Sequence, residues 1–338
     1  MHPDRETIIE WLSTEPLDDL RARADALRRE IAGDVLHVRG LIEISNHCRC
    51  SCTYCGLRPE NRQLTRYRMP VDEIVATARK AYETGFKTIV LQSGEDPHFS
   101  GKRVTDLVRR IKSETGCAIT LSLGEWSREE YEAWHEAGAD RYLLKHETIN
   151  PELYARLHPG LSQQNRLNCL RILREIGYQV GSGAMIGLPG QTLGDLADDL
   201  LFCSSLECDM AGFGPFISHP GTPLAGAPNG STELTLRVLA AARLVLRETH
   251  LPATTSLVVL DKTMRVKALR SGANVIMPDI TPAKYSLLYN IYPGKGQGDD
   301  HIEYIERAWQ FANDVASEVG WVVSSEHGHS LKPGYLRR

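Results

Sequence analysis

Cys48, Cys52 and Cys55 stand in the run Cys48-Arg49-Cys50-Ser51-Cys52-Thr53-Tyr54-Cys55, a C-x3-C-x2-C spacing with an aromatic residue just before the last cysteine. A cubane iron–sulfur cluster normally takes one thiolate per iron. Three thiolates leave one iron open. Such an iron can chelate the amino and carboxylate groups of S-adenosylmethionine (SAM) and deliver the electron that cleaves it, chemistry that no side chain can perform alone. Other uses of these cysteines fit less well. Structural zinc wants four ligands, and although His47 and Cys50 adjoin the motif, Cys117, Cys169, Cys203 and Cys208 are scattered and read as buried thiols. A disulfide framework does not suit eight cysteines placed so unevenly in 338 residues. Cys50, between two ligands, reads as a bystander.

Further residues with chemical potential stand where apolar runs end. Gln92-Ser93-Gly94-Glu95-Asp96 offers carbonyls suited to an ammonium, and Gly94 lets backbone approach a ligand closely. Thr120 precedes Leu121-Ser122-Leu123-Gly124-Glu125-Trp126. Lys145-His146-Glu147 places three titratable groups in a row. Glu147 can accept both hydroxyls of a ribose. Without a ligand, Lys145 and Glu147 share a strand face and would pair, while His146 points away and reads as structural. Arg166 has the donor fork to hold a carboxylate. The run 181–190 is glycine-rich but lacks the lysine of a phosphate loop, and its glycines suggest a flat ligand such as adenine near Met185. Thr254, Thr255 and Ser256 are hydroxyls that a barrel interior would leave unsatisfied without a polar ligand.

These positions need elements to hold them. Strand patterns fall at 41–45, 88–92, 118–121, 141–144, 179–185, 210–216, 253–258 and 275–277. Helical patterns cover 71–84, 104–114, 128–137, 163–176, 193–203 and 234–249. Strands alternating with helices imply parallel pairing, and eight units in about 250 residues fit a (β/α)8 barrel. The last strand is weak. The expected divisions are a helical extension over 1–36, the barrel over 37–295, and a helix with a polar tail over 296–338. The long turn-rich segment 219–230 falls in a loop at the C-terminal end of a strand, where barrels place substrate contacts.

Apolar residues make up 42% and charged residues 24%, with a net charge of −4. That mixture is a globular protein's and gives no electrostatic reason to expect nucleic-acid or membrane binding. No signal-peptide pattern and no membrane-length apolar run is present, so a cytoplasmic, oxygen-poor setting is expected.

The run Leu41-Ile42-Glu43-Ile44-Ser45-Asn46 with Cys48…Cys55-Gly56-Leu57-Arg58 resembles the radical SAM superfamily, in its biotin-synthase-like branch. The segments 91–96, 122–126, 142–148, 165–169, 187–192, 214–216, 252–255 and 272–278 resemble the HydE family of FeFe-hydrogenase maturases, over roughly residues 38–295. That resemblance implies a (β/α)8 barrel binding a 4Fe–4S cluster and SAM and acting on a small iron complex. It also implies a ferredoxin- or flavodoxin-type electron donor and further maturases as partners. By motif, Cys48, Cys52 and Cys55 would hold the cluster and Tyr54 would pack near the adenine. Glu147 would take the ribose and Arg166 the methionine carboxylate. Thr120, Lys145, Thr254 and Thr255 would face the substrate, with Met277 at the cavity wall. Two departures stand out: Lys145 replaces the usual arginine, and 296–301 lacks the cysteines that hold an auxiliary cluster in some members. The alternatives are a methylornithine-synthase-like mutase, a biotin-synthase-like enzyme, and a non-catalytic iron–sulfur carrier or scaffold.

Overall fold

The computed structural model describes residues 3–295 and 305–332. Six parallel strands form one sheet in the order β2 (Gly40–Ser45), β3 (Thr88–Ser93), β4 (Ala118–Ser122), β5 (Arg141–Leu143), β6 (Gln179–Ser182) and β8 (Met210–Ala211). Single-residue bridges close it: Met210 to His250, Pro252 to Val275, and Leu41 to Asp279. The result is an eight-staved parallel barrel whose seventh and eighth staves are short. The weakness expected of the last strand is real, and the seam nonetheless closes.

Each long strand is buried on both faces, as helices outside and packed side chains inside require. Helix Gly101–Glu114 shows how the outer layer is specified. Val104, Leu107, Val108 and Ile111 recur at helical spacing, and all four are buried while the charged residues point out. Two amino-terminal helices, Arg5–Ser13 and Leu17–Ala32, lie against the barrel's outside. Ala24 meets Ala240 there, small residues that let the helices approach closely.

Two expectations from the sequence are revised. Residues 253–258 are not a strand: Thr255–Leu260 is helical, and the seventh stave is reduced to bridges at His250 and Pro252. Thr254, Thr255, Val258 and Val259 carry strand propensity, which packing overrides. The run 179–185 is also not continuous. It divides into β6 and β7 (Met185–Ile186), which pairs with β9 (Gly214–Pro215). Gly183 sits at the break with φ +146, and a Cβ there would lie 2.0 Å from the Gly212 carbonyl oxygen. That glycine serves a backbone-to-backbone approach.

The opposite end of the barrel is plugged. Strand β1 (Val35–Val38) pairs with β10 (Val275–Ile276) and with β11 (Val322–Val323) after the final helix Ile305–Glu318. Beyond β11 the tail crosses the strand starts. The His327 carbonyl accepts from Arg141 Nη2 and Thr88 Oγ1, both at 2.7 Å, and Gly328 and His329 carbonyls accept from Arg39 and His250. Position 296 and the run 296–301 lie outside the described residues.

Candidate active site

The cysteine loop leaves β2 and is gripped from several sides. Arg49 N–H donates to the Glu95 carbonyl at 3.0 Å, and its guanidinium reaches the Glu95 carboxylate at 3.1 Å. Arg66 gathers the carbonyls of Asn46, Leu57 and Arg58 at 2.6–2.8 Å. Thr53 N–H donates to Leu157, and Gly56 N–H to Ile291. Gly94 closes the loop's inner side. A Cβ there would lie 2.4 Å from the His47 carbonyl oxygen and 2.6 Å from Cys48 Cβ, so its close approach is to the cysteine loop and not to the cavity.

Burial pushes the Cys55 thiol up to about 12 and raises Cys52 as well, and each is raised further by neighbouring cysteines of the motif. Such thiols become thiolates when a metal replaces the proton, because the metal supplies the missing counter-charge. The Cys50 thiol hydrogen-bonds Cys48, which holds Cys48 down and drives Cys50 up. The Cys50 backbone N–H also donates to Cys48 Sγ at 3.4 Å. Among the described residues no three His, Cys, Asp or Glu side chains are gathered tightly enough for a single metal ion. Cys48, Cys52 and Cys55 are partly buried on one loop, and the Cys52 thiol is raised by both of the others.

Beside the loop opens a cavity of about 380 Å³ at the C-terminal strand ends. Cys55 and Tyr54 form one wall, with Gln92 and Ser93 from β3 beside them. Lys145, Glu147, Arg166 and Met185 form the next side. Thr254, Thr255 and Met277 face it from the short staves. Thr120 is placed elsewhere. It lies deeper, beside a separate space of about 10 Å³ lined also by Arg39 and Arg141, and its hydroxyl there is buried without a partner.

Arg166 is buried, unlike most helical arginines. Its Nε bonds Glu125, Nη1 donates to the Lys145 carbonyl at 2.8 Å, and Nη2 lies 3.9 Å from Glu95. Glu125 N–H in turn donates to Glu95. Strand ends β3 and β4, the Arg166 helix and the cysteine loop are thus joined in one polar network. Glu147 pairs with Lys145 at 3.3 Å, as expected of the ligand-free face. Its backbone holds φ +67, which costs a non-glycine residue about 1–3 kcal/mol. His146 turns away, buried between Ser182 and Asp199, and is structural.

Three features escaped the sequence reading. Tyr54 hydroxyl meets His158 Nε2 at 3.0 Å, while His158 Nδ1 faces the Tyr154 carbonyl at 3.2 Å. Nδ1 must donate to that carbonyl, so Nε2 accepts from Tyr54. Burial and Arg166 hold His158 down to about 4, keeping it neutral in this role. Glu125 was noted only as part of a strand-end run, with no hint that it anchors Arg166. Lys295, with Tyr289 and Tyr292, walls the cavity from a segment that reads in sequence as a Pro-Gly turn. Its Nζ contacts buried Glu43 and lies 3.4 Å from Asp279. The only sequence signal was Glu43, an acidic residue inside an apolar strand.

A family model described as the Radical SAM superfamily matches residues 42–203. The [FeFe] hydrogenase maturase subunit HydE of Thermotoga maritima is 55% identical to this chain across 80% of it and 78% of the maturase. The chain belongs to the HydE family of radical SAM enzymes. HydE-family cofactors are a 4Fe–4S cluster and SAM. Together they supply a 5′-deoxyadenosyl radical; the protein's own part is to bind and orient. The site fits both: three partly buried thiols on one loop, and a cavity bearing an ion-paired carboxylate and a buried guanidinium. The 3-methylornithine synthase of Methanosarcina acetivorans is 30% identical over 81% of this chain and 77% of that enzyme. The crystal structure of methylornithine synthase (PylB) superposes with TM-score 0.84 at 26% identity, covering 96% of this chain and 95% of that one. The maturase HydG from Carboxydothermus hydrogenoformans, at TM-score 0.77 and 21% identity over 96% of this chain and 76% of its own, shares the fold. No helix among the described residues is long and apolar enough to cross a membrane.

Proposed function

We propose that this enzyme performs the HydE step in FeFe-hydrogenase maturation, acting in the cytoplasm on a small iron complex within the barrel. The observation that carries this reading is the 55% identity to HydE over 80% of the chain. Cys48, Cys52 and Cys55 hold the cluster, and Tyr54, supported by His158, packs at the nucleoside. Glu147 takes the ribose and Arg166, fixed by Glu125, the methionine carboxylate. Gln92, Ser93 and Met185 complete the SAM side, while Lys145, Thr254, Thr255 and Met277 face the substrate. A ferredoxin- or flavodoxin-type protein supplies the electron, and other maturases supply and receive the iron complex. Expression in a FeFe-hydrogenase-producing strain lacking its own HydE tests this. Restored hydrogen evolution supports the reading, and none from well-folded, cluster-loaded protein contradicts it.

A second reading is favoured by Lys145, which lacks the two-point grip of arginine, and by the close superposition with PylB. In that reading the same radical chemistry makes a product such as 3-methylornithine. Formation of that product by the reconstituted enzyme would select it.

A further inference from the structure

Lys145 and Glu147 leave β5 on one face, and the lysine Nζ lies 3.3 Å from Glu147 Oε2. Yet Oε2 is buried and makes no hydrogen bond of good geometry. The two are an ion pair without directional closure. Their side chains are 29% and 13% exposed, and both line the cavity. The backbones beneath them are fixed: Arg166 Nη1 binds the Lys145 carbonyl, and Glu147 N–H donates to Gly183 at 3.0 Å. Of the two side chains, the lysine is the longer and the more exposed. A lysine suits such a place, since its ammonium is a compact charge on a flexible four-carbon chain, whereas an arginine fork would hold a carboxylate at two points.

We propose that Lys145 competes with the nucleoside for Glu147. In the ligand-free enzyme its ammonium occupies the carboxylate oxygen that a ribose diol requires. Nucleoside binding displaces it into the cavity, where it adds a positive charge to the substrate's side. SAM thereby sets the charge of the substrate site, and the coupling is reciprocal, so an anion drawn to the freed ammonium strengthens SAM binding. The inference rests on the assignment of the ribose to Glu147.

The test is anaerobic calorimetry on cluster-loaded protein with SAM and, separately, with 5′-deoxyadenosine, which carries the ribose but no amino acid to bind the cluster. Four proteins are compared: wild type, Lys145→Met, Glu147→Gln and the double variant, each checked by thermal unfolding. Competition predicts that Lys145→Met binds both ligands about five-fold more tightly, which corresponds to about 1 kcal/mol. That gain should vanish when Glu147→Gln is already present. If Glu147→Gln weakens binding while Lys145→Met leaves it unchanged or weaker, the competition is wrong and the ribose assignment stands. If Glu147→Gln leaves both affinities intact, the ribose assignment fails and the competition falls with it. Lys145→Gln serves in place of the methionine variant should the latter fail to fold.

Discussion

The two ends of the barrel carry the same kinds of residue to opposite effect. At the strand starts, Arg39, Arg141, Thr88 and His250 are buried, and the tail's successive carbonyls at 327–329 accept hydrogen bonds from them. At the strand ends, Arg166, Lys145, Glu147, Thr254 and Thr255 surround about 380 Å³ of space. Buried polar groups are costly unless partnered. Much of the lower end finds its partners in the tail and becomes a plug, though the Thr120 hydroxyl stays unpartnered; the upper end surrounds an open cavity. Barrel enzymes as a class divide in this way between stability and chemistry.

The sharpest way to break this contrast is at the cysteine loop. Cys52→Ala should reduce SAM cleavage to 5′-deoxyadenosine below detection by chromatography. Cys50→Ala, by comparison, should keep more than about a third of wild-type turnover, because the proposed cluster takes Cys48, Cys52 and Cys55 and leaves Cys50 only hydrogen-bonded to Cys48. Equal losses from the two would remove the distinction between ligand and bystander.

Arg141→Met tests the lower end. It leaves the tail carbonyl of His327 without its guanidinium donor, and urea unfolding should show a loss of about 2–4 kcal/mol. The affinity for SAM should stay within about two-fold of wild type, since Arg141 does not touch the cavity. A large change in affinity with unaltered stability would invert the comparison.

Acid should loosen the plug in a graded way. Burial holds His37 down to about 3, with Arg39 and Arg141 adding to the effect, and His250 is lowered for the same reasons. The unfolded chain takes up protons near pH 6.5, the folded plug only well below that. Folding stability should therefore fall as pH drops from about 6.5 towards 3. Replacing His37 with Gln should flatten part of that slope, measured by urea unfolding across the range. An unchanged slope would mean that the plug does not sense these histidines.

Legibility differed between the two ends for a physical reason. Part of the upper site was readable because metal and cofactor chemistry restricts residue type and spacing: the cysteines and Glu147 stood out at strand ends, whereas Arg166, on a helix, was singled out only through the family resemblance. The long staves were readable from β-branched runs with helical stretches between them. Residues 253–258 were misread because propensity is local while the stave is set by the barrel's closure, which there needs only His250 and Pro252. Thr120 was misplaced since strand alternation gives its face but not its depth. The plug was invisible because its key acceptors are backbone carbonyls, which no residue type announces. Lys295 was missed for a related reason: its partners, Glu43 and Asp279, are distant in sequence and meet it only across the seam.

The most direct test of the account is magnetic resonance on the anaerobically reconstituted, reduced protein with SAM labelled with nitrogen-15 at its amino group. The account predicts about four irons per chain, a reduced-cluster signal that shifts on adding SAM, and hyperfine coupling to the label, all absent in Cys52→Ala. A reduced cluster whose signal neither shifts nor couples to the labelled nitrogen would contradict an open iron facing the cavity.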